Sequence, residues 1–258
     1  MLFDTKFDLV ISIGESCACS GYLRRFKLQD YSYPLDWLTG ASFESRIDVL
    51  TNNFNDFLNI DNLSKLEKNQ NMINDNKCDY YQDSVYNFIF LHDFKINQPF
   101  EQEYENVKTK YNRRIKRMYE QIEKSDKILF VWFGWSNFPD AQVVKSCYQR
   151  LSEKFKNKSV YLLVIEHSED IEEMSYFENK HILITKYKSL LTGNNETMGC
   201  EKNNAKIFSQ IKMNRNFKWY LKLYLYFFIK IFVEIIPFKE FRIKQRQKLK
   251  AKFYKDVL

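Results

Sequence analysis

Apolar positions recur along this chain at two periods. Short runs rich in β-branched and aromatic residues read as strands: Phe7 to Ile13, Val85 to Phe94, Lys127 to Phe133, Ser159 to Ile165 and His181 to Tyr187. Steps of three and four read as helices. One follows Gly14, with Tyr22, Leu23 and Phe26 on its apolar side and Arg24 and Arg25 on its wet side. Ser42 to Leu58 repeats Phe43, Ile47, Leu50, Phe54 and Phe57. Glu101 to Lys124 repeats Tyr104, Val107, Tyr111, Ile115, Met118 and Ile122. Its other face carries Lys108, Lys110, Arg113, Arg114, Lys116 and Arg117. Ala141 to Phe155 turns Val144, Cys147, Tyr148 and Leu151 inward, and Asp170 to Phe177 reads as a short helix. Asn52 to Asn76, crowded with Asn, Asp and Lys, reads as short helical pieces and loop. From Lys127 onward the order is strand, helix, strand, helix, strand. That order predicts an α/β fold with a mostly parallel sheet flanked by helices.

The last quarter differs. Residues 1–192 read as the α/β body, 193–213 as a polar linker and 214–258 as a tail. Phe217 to Phe238 is apolar apart from Lys218, Lys222, Lys230 and Glu234, which lie on a four-residue step and form one narrow polar stripe. Lys230 falls in the middle, which argues against a membrane span and for an interfacial helix. Pro237 ends it. Lys239, Arg242, Lys244, Arg246, Lys248, Lys250, Lys252 and Lys255 follow. An apolar helix beside a polybasic cluster predicts binding to an anionic membrane surface through residues 217–255.

Charge sharpens this division. From Asn214 onward twelve Lys or Arg stand against three acids, a net +9. The total is +7, so the first 213 residues sum to −2. A nucleic-acid-binding domain would carry its positive charge on the body, so none is expected here. The five Cys (Cys17, Cys19, Cys78, Cys147, Cys200) are odd in number and contain no Cys-x-x-Cys, so neither a disulfide framework nor a structural zinc site is expected. Reduced thiols and an N-terminus without a basic leader predict a cytoplasmic protein, peripheral at the inner face of the membrane. No motif calls for a cofactor or a metal.

The chemistry gathers around one turn. Gly14, Glu15, Ser16 and Cys17 link the first strand to the first helix. Free N–H groups and positive partial charge at a helix start favour a thiolate and can hold an oxyanion. Gly then Ser before a helix is also an ordinary turn with its N-cap. Asp36 beside Trp37 is a polar group in an aromatic setting, fit to cap a turn or to orient an imidazole. His92 and Asp93 end the Val85 to Phe94 strand, Trp135 and Ser136 follow the next, and Glu166 and His167 end the one after. Ligands of open parallel sheets bind beyond the carboxyl ends of the strands, so these residues are expected to share one site with Glu15 to Cys17. The cationic face of the Glu101 to Lys124 helix offers Arg113 and Arg114 to an acidic or phosphorylated group.

The run ISIGESCACSGYLRR, then YPLDW, LHDF, the YNRRIKR helix and the ILFVWF strand resemble a bacterial family of unknown function described as papain-like cysteine peptidases. The resemblance covers about the first 190 residues. It implies a catalytic thiol at Cys17, a His partner at His92, and Asp36 or Asp93 as the orienting acid. The turn reads Glu15-Ser16-Cys17-Ala18 in place of Gly-Ser-Cys-Trp, and the strand–helix alternation predicts a parallel sheet rather than a papain-like α+β fold. Two other activities remain open. Ser16 also looks like the nucleophile of the Gly-x-Ser turn in small esterases. The basic aromatic tail is similar to those of enzymes that tailor bacterial surface polysaccharide. Cys19, two residues along the helix from Cys17, is expected to point away and be structural.

Overall fold

The computed structural model describes residues 2–67, 77–96, 98–136, 138–169, 172–188, 201–235 and 237–253. In chain order the elements are β1 (Lys6–Phe7), β2 (Leu9–Ser12), α1 (Cys17–Arg25), β3 (Leu38–Thr39), α2 (Phe43–Thr51), β4 (Leu63–Leu66), β5 (Cys78–Asp83), β6 (Ile89–Lys95), α3 (Phe100–Glu123), β7 (Lys127–Gly134), α4 (Ala141–Lys154), β8 (Ser159–Ser168), β9 (Met174–Asn179), β10 (Ile182–Lys188), α5 (Glu201–Phe208), β11 (Lys212–Met213), α6 (Phe217–Ile235) and α7 (Lys239–Phe253).

The central sheet has the order β2-β7-β8-β10-β9. The β2–β7, β7–β8 and β8–β10 pairs are parallel, and β9 joins the edge antiparallel to β10. Both faces are buried, which is why these strands read as continuous apolar runs. Alternate residues serve two cores. Ile11, Ile128, Phe130, Trp132, Leu162, Val164 and Ile184 face the core built with α2, α3 and α4. Val10, Leu129, Val131, Phe133, Leu163, Ile165 and Leu183 face α1 and α5 through Ala18, Cys19, Tyr22, Leu23 and Phe208.

A second sheet, fully antiparallel in the order β3-β6-β5-β4, lies beside the first core. Sequence pattern placed β6 in the parallel sheet and missed β5. The Val85 to Phe94 strand therefore has no carboxyl end at the edge of the parallel sheet. Two other expectations are corrected. The described part of Asp170 to Phe177 holds the start of β9 instead of a helix, with the Ser175 and Thr185 hydroxyls 2.6 Å apart across the β9–β10 pair. Helix α2 stops at Thr51, because Asn53, Phe54, Asp56 and Leu58 adopt positive φ. Of the expected linker 193–213, residues 193–200 lie outside the described set. Residues 201–208 form α5, whose Phe208 is fully buried against Tyr22 and Phe133. Among the described residues no helix is long and apolar enough to cross a membrane.

Candidate functional site

Strand β2 runs into α1 through a turn with no room for a side chain at Gly14. A Cβ there would lie 2.3 Å from Cys19 Cβ and 3.1 Å from the Phe133 carbonyl oxygen. Ser16 is extended, and its hydroxyl accepts from the Ala18 amide at 3.1 Å, so it caps the helix. Cys17 is the first helical residue. It is half-buried, whereas Cys19, Cys78 and Cys147 are buried; Cys200 lies outside the described residues. Burial pushes the Cys17 thiol up, against the opposing pull of its own amide, of Arg24 and of Ser16. No histidine acts on it among the described residues. Cys19 is inert packing, as its position predicts. Its Sγ donates to the Val131 carbonyl at 3.4 Å, and burial pushes its thiol up to about 12.

The Cys17 face of α1 meets the turn at residues 31–37. Ser20 Oγ donates to the Asp36 carbonyl at 2.9 Å. Asp36 is fully buried, and one carboxylate oxygen accepts from Arg24 at 2.6 Å, Gln29 at 2.6 Å and the Tyr33 amide at 2.8 Å. Burial raises this carboxyl to about 6 despite Arg24 beside it. Arg24 also donates to Ser32 and lies over the Trp37 ring at 4.8 Å. Sequence reading left Arg24 on the wet side of α1. It is instead paired with buried Asp36, and its charge acts on Cys17.

A second arginine escaped sequence reading altogether. Arg46 is fully buried on α2 and donates to the carbonyls of Glu15 at 3.0 Å, Leu38 at 2.9 Å, Ala41 at 3.3 Å and Leu35 at 3.4 Å. It ties the Cys17 turn to the segment that carries Asp36. Burial lowers it to about 10. The available signal was an arginine inside the apolar group Phe43, Ile47, Val49 and Leu50.

Helix α3 closes the cluster. Arg114 is not on the solvated face, as expected, but buried in the inward stripe between Tyr111 and Met118, its guanidinium 5.3 Å from the Tyr111 ring. Its charge reaches Asp36. Arg117 donates to the Ser32 carbonyl at 3.4 Å and lies over Tyr31. Arg113 points outward and is exposed.

His92 and Asp93 occupy a bulge of β6. Phe94 pairs with Asp79 and Phe90 with Tyr81, so Leu91 to Asp93 stand opposite Tyr80 alone. The bulge turns the two residues apart. His92 is exposed, and Asp93 is buried, accepting from Tyr111 Oη at 3.0 Å and from Lys110. Both expected orienting carboxylates are thus bonded to other groups, Asp36 to Arg24 and Asp93 to Lys110 and Tyr111.

The strand ends of the parallel sheet form a separate group. Glu15 is buried, and its carboxylate accepts from the Trp135 amide at 2.8 Å, the Ser136 amide at 3.2 Å and the Ser136 hydroxyl. It fastens the loop after β7. His167 is fully buried, stacked on Phe133 at 4.8 Å and Tyr187 at 5.5 Å, and burial lowers it to about 4. Glu166 pairs with Lys186 at 2.8 Å. The expectation of one site at the strand ends therefore divides. Glu15, Trp135, Ser136 and His167 lie there, while the charge that acts on Cys17 is Arg24, which bonds Asp36 and lies over Trp37. Among the described residues no group of three or more His, Cys, Asp or Glu is arranged to hold a metal ion.

Comparison with known proteins adds three findings. A family described as "Putative papain-like cysteine peptidase (DUF1796)" matches residues 8–170, the stretch that holds both clusters. An uncharacterized protein of Acanthamoeba polyphaga mimivirus is 26% identical over 134 residues, 48% of this chain, and the match spans only 60% of that relative's length. No solved structure matches. With its family match running from the start of the first parallel strand past the fourth helix, the chain belongs to this papain-like cysteine peptidase family.

Proposed function

We propose that this protein is a cysteine-dependent hydrolase or acyl-transfer enzyme whose nucleophile is Cys17. One observation carries the reading: Cys17 is the first residue of α1 and, among the described residues, the one cysteine that is not buried. Sulfur attacks the carbonyl carbon of an acyl substrate, the C–S bond forms, and the carbonyl electron pair moves to oxygen. Amides at the start of α1 receive that oxyanion. Because burial holds the thiol protonated, a base must take its proton. No histidine among the described residues acts on the thiol in the free chain, so His92, exposed on β6, must come within reach when substrate binds; it takes the proton and returns it to the leaving group as that group's bond to the carbonyl carbon breaks. Water then releases the acid. Asp36 is a positioning residue that holds Arg24. The test is alkylation of the full chain by iodoacetamide across pH, with each cysteine mapped by mass spectrometry. Cys17 is expected to react fastest near neutral pH, and His92→Ala to slow it. If Cys17 reacts no faster than Cys147, the reading fails, and a surface-polysaccharide tailoring activity that survives Cys17→Ser takes its place.

We propose further that the protein works at the cytoplasmic face of an anionic membrane. Phe217, Tyr224, Phe228 and Phe232 on α6 are 79%, 62%, 61% and 66% exposed and recur along one side of the helix. Helix α7 packs on the opposite side and presents Lys244, Arg246 and Lys248 to solvent; Lys255 lies outside the described residues. This pairing of apolar stripe and basic helix suits insertion among acidic headgroups. Vesicles containing phosphatidylglycerol are expected to sediment the full chain, and phosphatidylcholine vesicles are not. Phe228→Glu with Phe232→Glu should abolish the effect. Equal binding to both vesicles, or none, overturns it.

A further inference from the structure

Two guanidiniums of the Cys17 cluster keep an N–H without a hydrogen-bond partner among the described residues. Arg24 and Arg114 both act on Asp36 in the 31–37 turn. Three donors share one Asp36 carboxylate oxygen, and the other, Oδ1, is buried with no hydrogen-bond partner among the described residues. Lys110 is matched by Asp93. Arg114 is more than nine-tenths buried, and its Nη1 has no hydrogen-bond partner among the described residues; the same holds for Arg24 Nε. A buried guanidinium N–H left open is costly, and such groups persist where a ligand completes them. Guanidinium pairs take up planar oxyanions in bidentate fashion.

We propose that the acyl substrate of this enzyme carries an oxyanion, a carboxylate or phosphoryl group, which Arg114 and Arg24 hold beside Cys17. The inference rests on the nucleophile reading above and adds the substrate class to it. The 31–37 turn supplies the frame, with Trp37 packing under Arg24 and Tyr111 under Arg114. Both rings fix the planes of the guanidiniums and so the direction of their donors.

Two alkylating reagents of the same size separate the two ideas. Iodoacetamide is neutral and iodoacetate is an anion. In each case the Cys17 thiolate displaces iodide, which leaves with its electron pair as the C–S bond forms. The iodoacetate to iodoacetamide rate ratio at Cys17 is expected to exceed that of N-acetylcysteine by about tenfold. Arg114→Gln should return the ratio to the free-thiol value. A ratio equal to that of N-acetylcysteine, or one unchanged in Arg114→Gln, overturns the proposal and leaves the nucleophile reading standing. Should Arg114→Gln fail to fold, protection of wild-type Cys17 from iodoacetamide by inorganic phosphate or acetate at fixed ionic strength decides. Protection supports the proposal and its lack overturns it. The better protector tells a phosphoryl from a carboxylate group. If Cys17 reacts with neither reagent, the nucleophile reading fails. The anion site is then judged by whether phosphate or acetate raises the melting temperature of the wild type, a rise supporting it and no rise overturning it.

Discussion

The turn after β2 feeds two polar regions of opposite character. Glu15 sends its carboxylate toward the β7 loop, where Trp135, Ser136 and His167 surround it with neutral groups. Cys17, two residues on, faces Arg24, with Arg114 and Arg117 beyond it. The charges of the second environment favour a thiolate and those of the first oppose it, although burial outweighs Arg24 and raises the Cys17 thiol. The Glu15 side is built for order: its acid closes a loop and its histidine is locked among rings. Both sides keep a buried donor without a hydrogen-bond partner among the described residues, Trp132 Nε1 near Glu15 and Arg114 Nη1 and Arg24 Nε on the Cys17 side, but only the second side combines them with a half-buried thiol.

The comparison can be broken most severely at Arg46, which serves both regions. Arg46→Ala orphans four buried carbonyls and leaves a cavity. A loss of about 3–5 kcal/mol in urea unfolding is expected. His167→Phe tests the ordered side alone. His167 is held neutral, lowered from 6.5 to about 4, so the unfolded chain takes up a proton that the fold refuses. Stability is full above pH 6.5 and falls as the pH drops toward 4. The Phe variant should lack this component, on the order of 3 kcal/mol, in unfolding measured at pH 7 and pH 4.5. Glu15→Gln weakens three hydrogen bonds to the β7 loop and should cost about 1–2 kcal/mol, with Cys17 alkylation changed less than about threefold. If alkylation collapses instead, the two regions are one site. Arg24→Gln probes the other side. The Cys17 alkylation profile should move to higher pH and the rate at pH 7 should fall, with a smaller change in stability.

Much of the body was legible. Strands β7, β8 and β10 and helices α3 and α4 follow their apolar periods to within a few residues. The turn holding Cys17 was visible because Gly14 and Ser16 are its sterically required residues. The errors share a cause. β9 alternates like a strand, but its short run and polar flanks resemble a helix until β10 is there to pair with it. β5 and β6 form ladders with each other and with β3 and β4, and a period of two names no partner. Arg114 fills a core position of α3 and was read by its charge instead of its place.

By itself, the sequence determined the α/β class, the helix start that carries Cys17 and the split between a near-neutral body and a basic, apolar tail. These follow from local sterics and from periodicity, which neighbours along the chain settle between them. Only the tertiary structure decided which residues share the thiol's surroundings. Arg24, Asp36, Arg46 and Arg114 come from three helices and a turn, and their burial and pairing depend on how those elements pack. The same packing moved His92 off the parallel sheet and turned Asp93 away from it, because a bulge in an antiparallel ladder redirects side chains that no local pattern records.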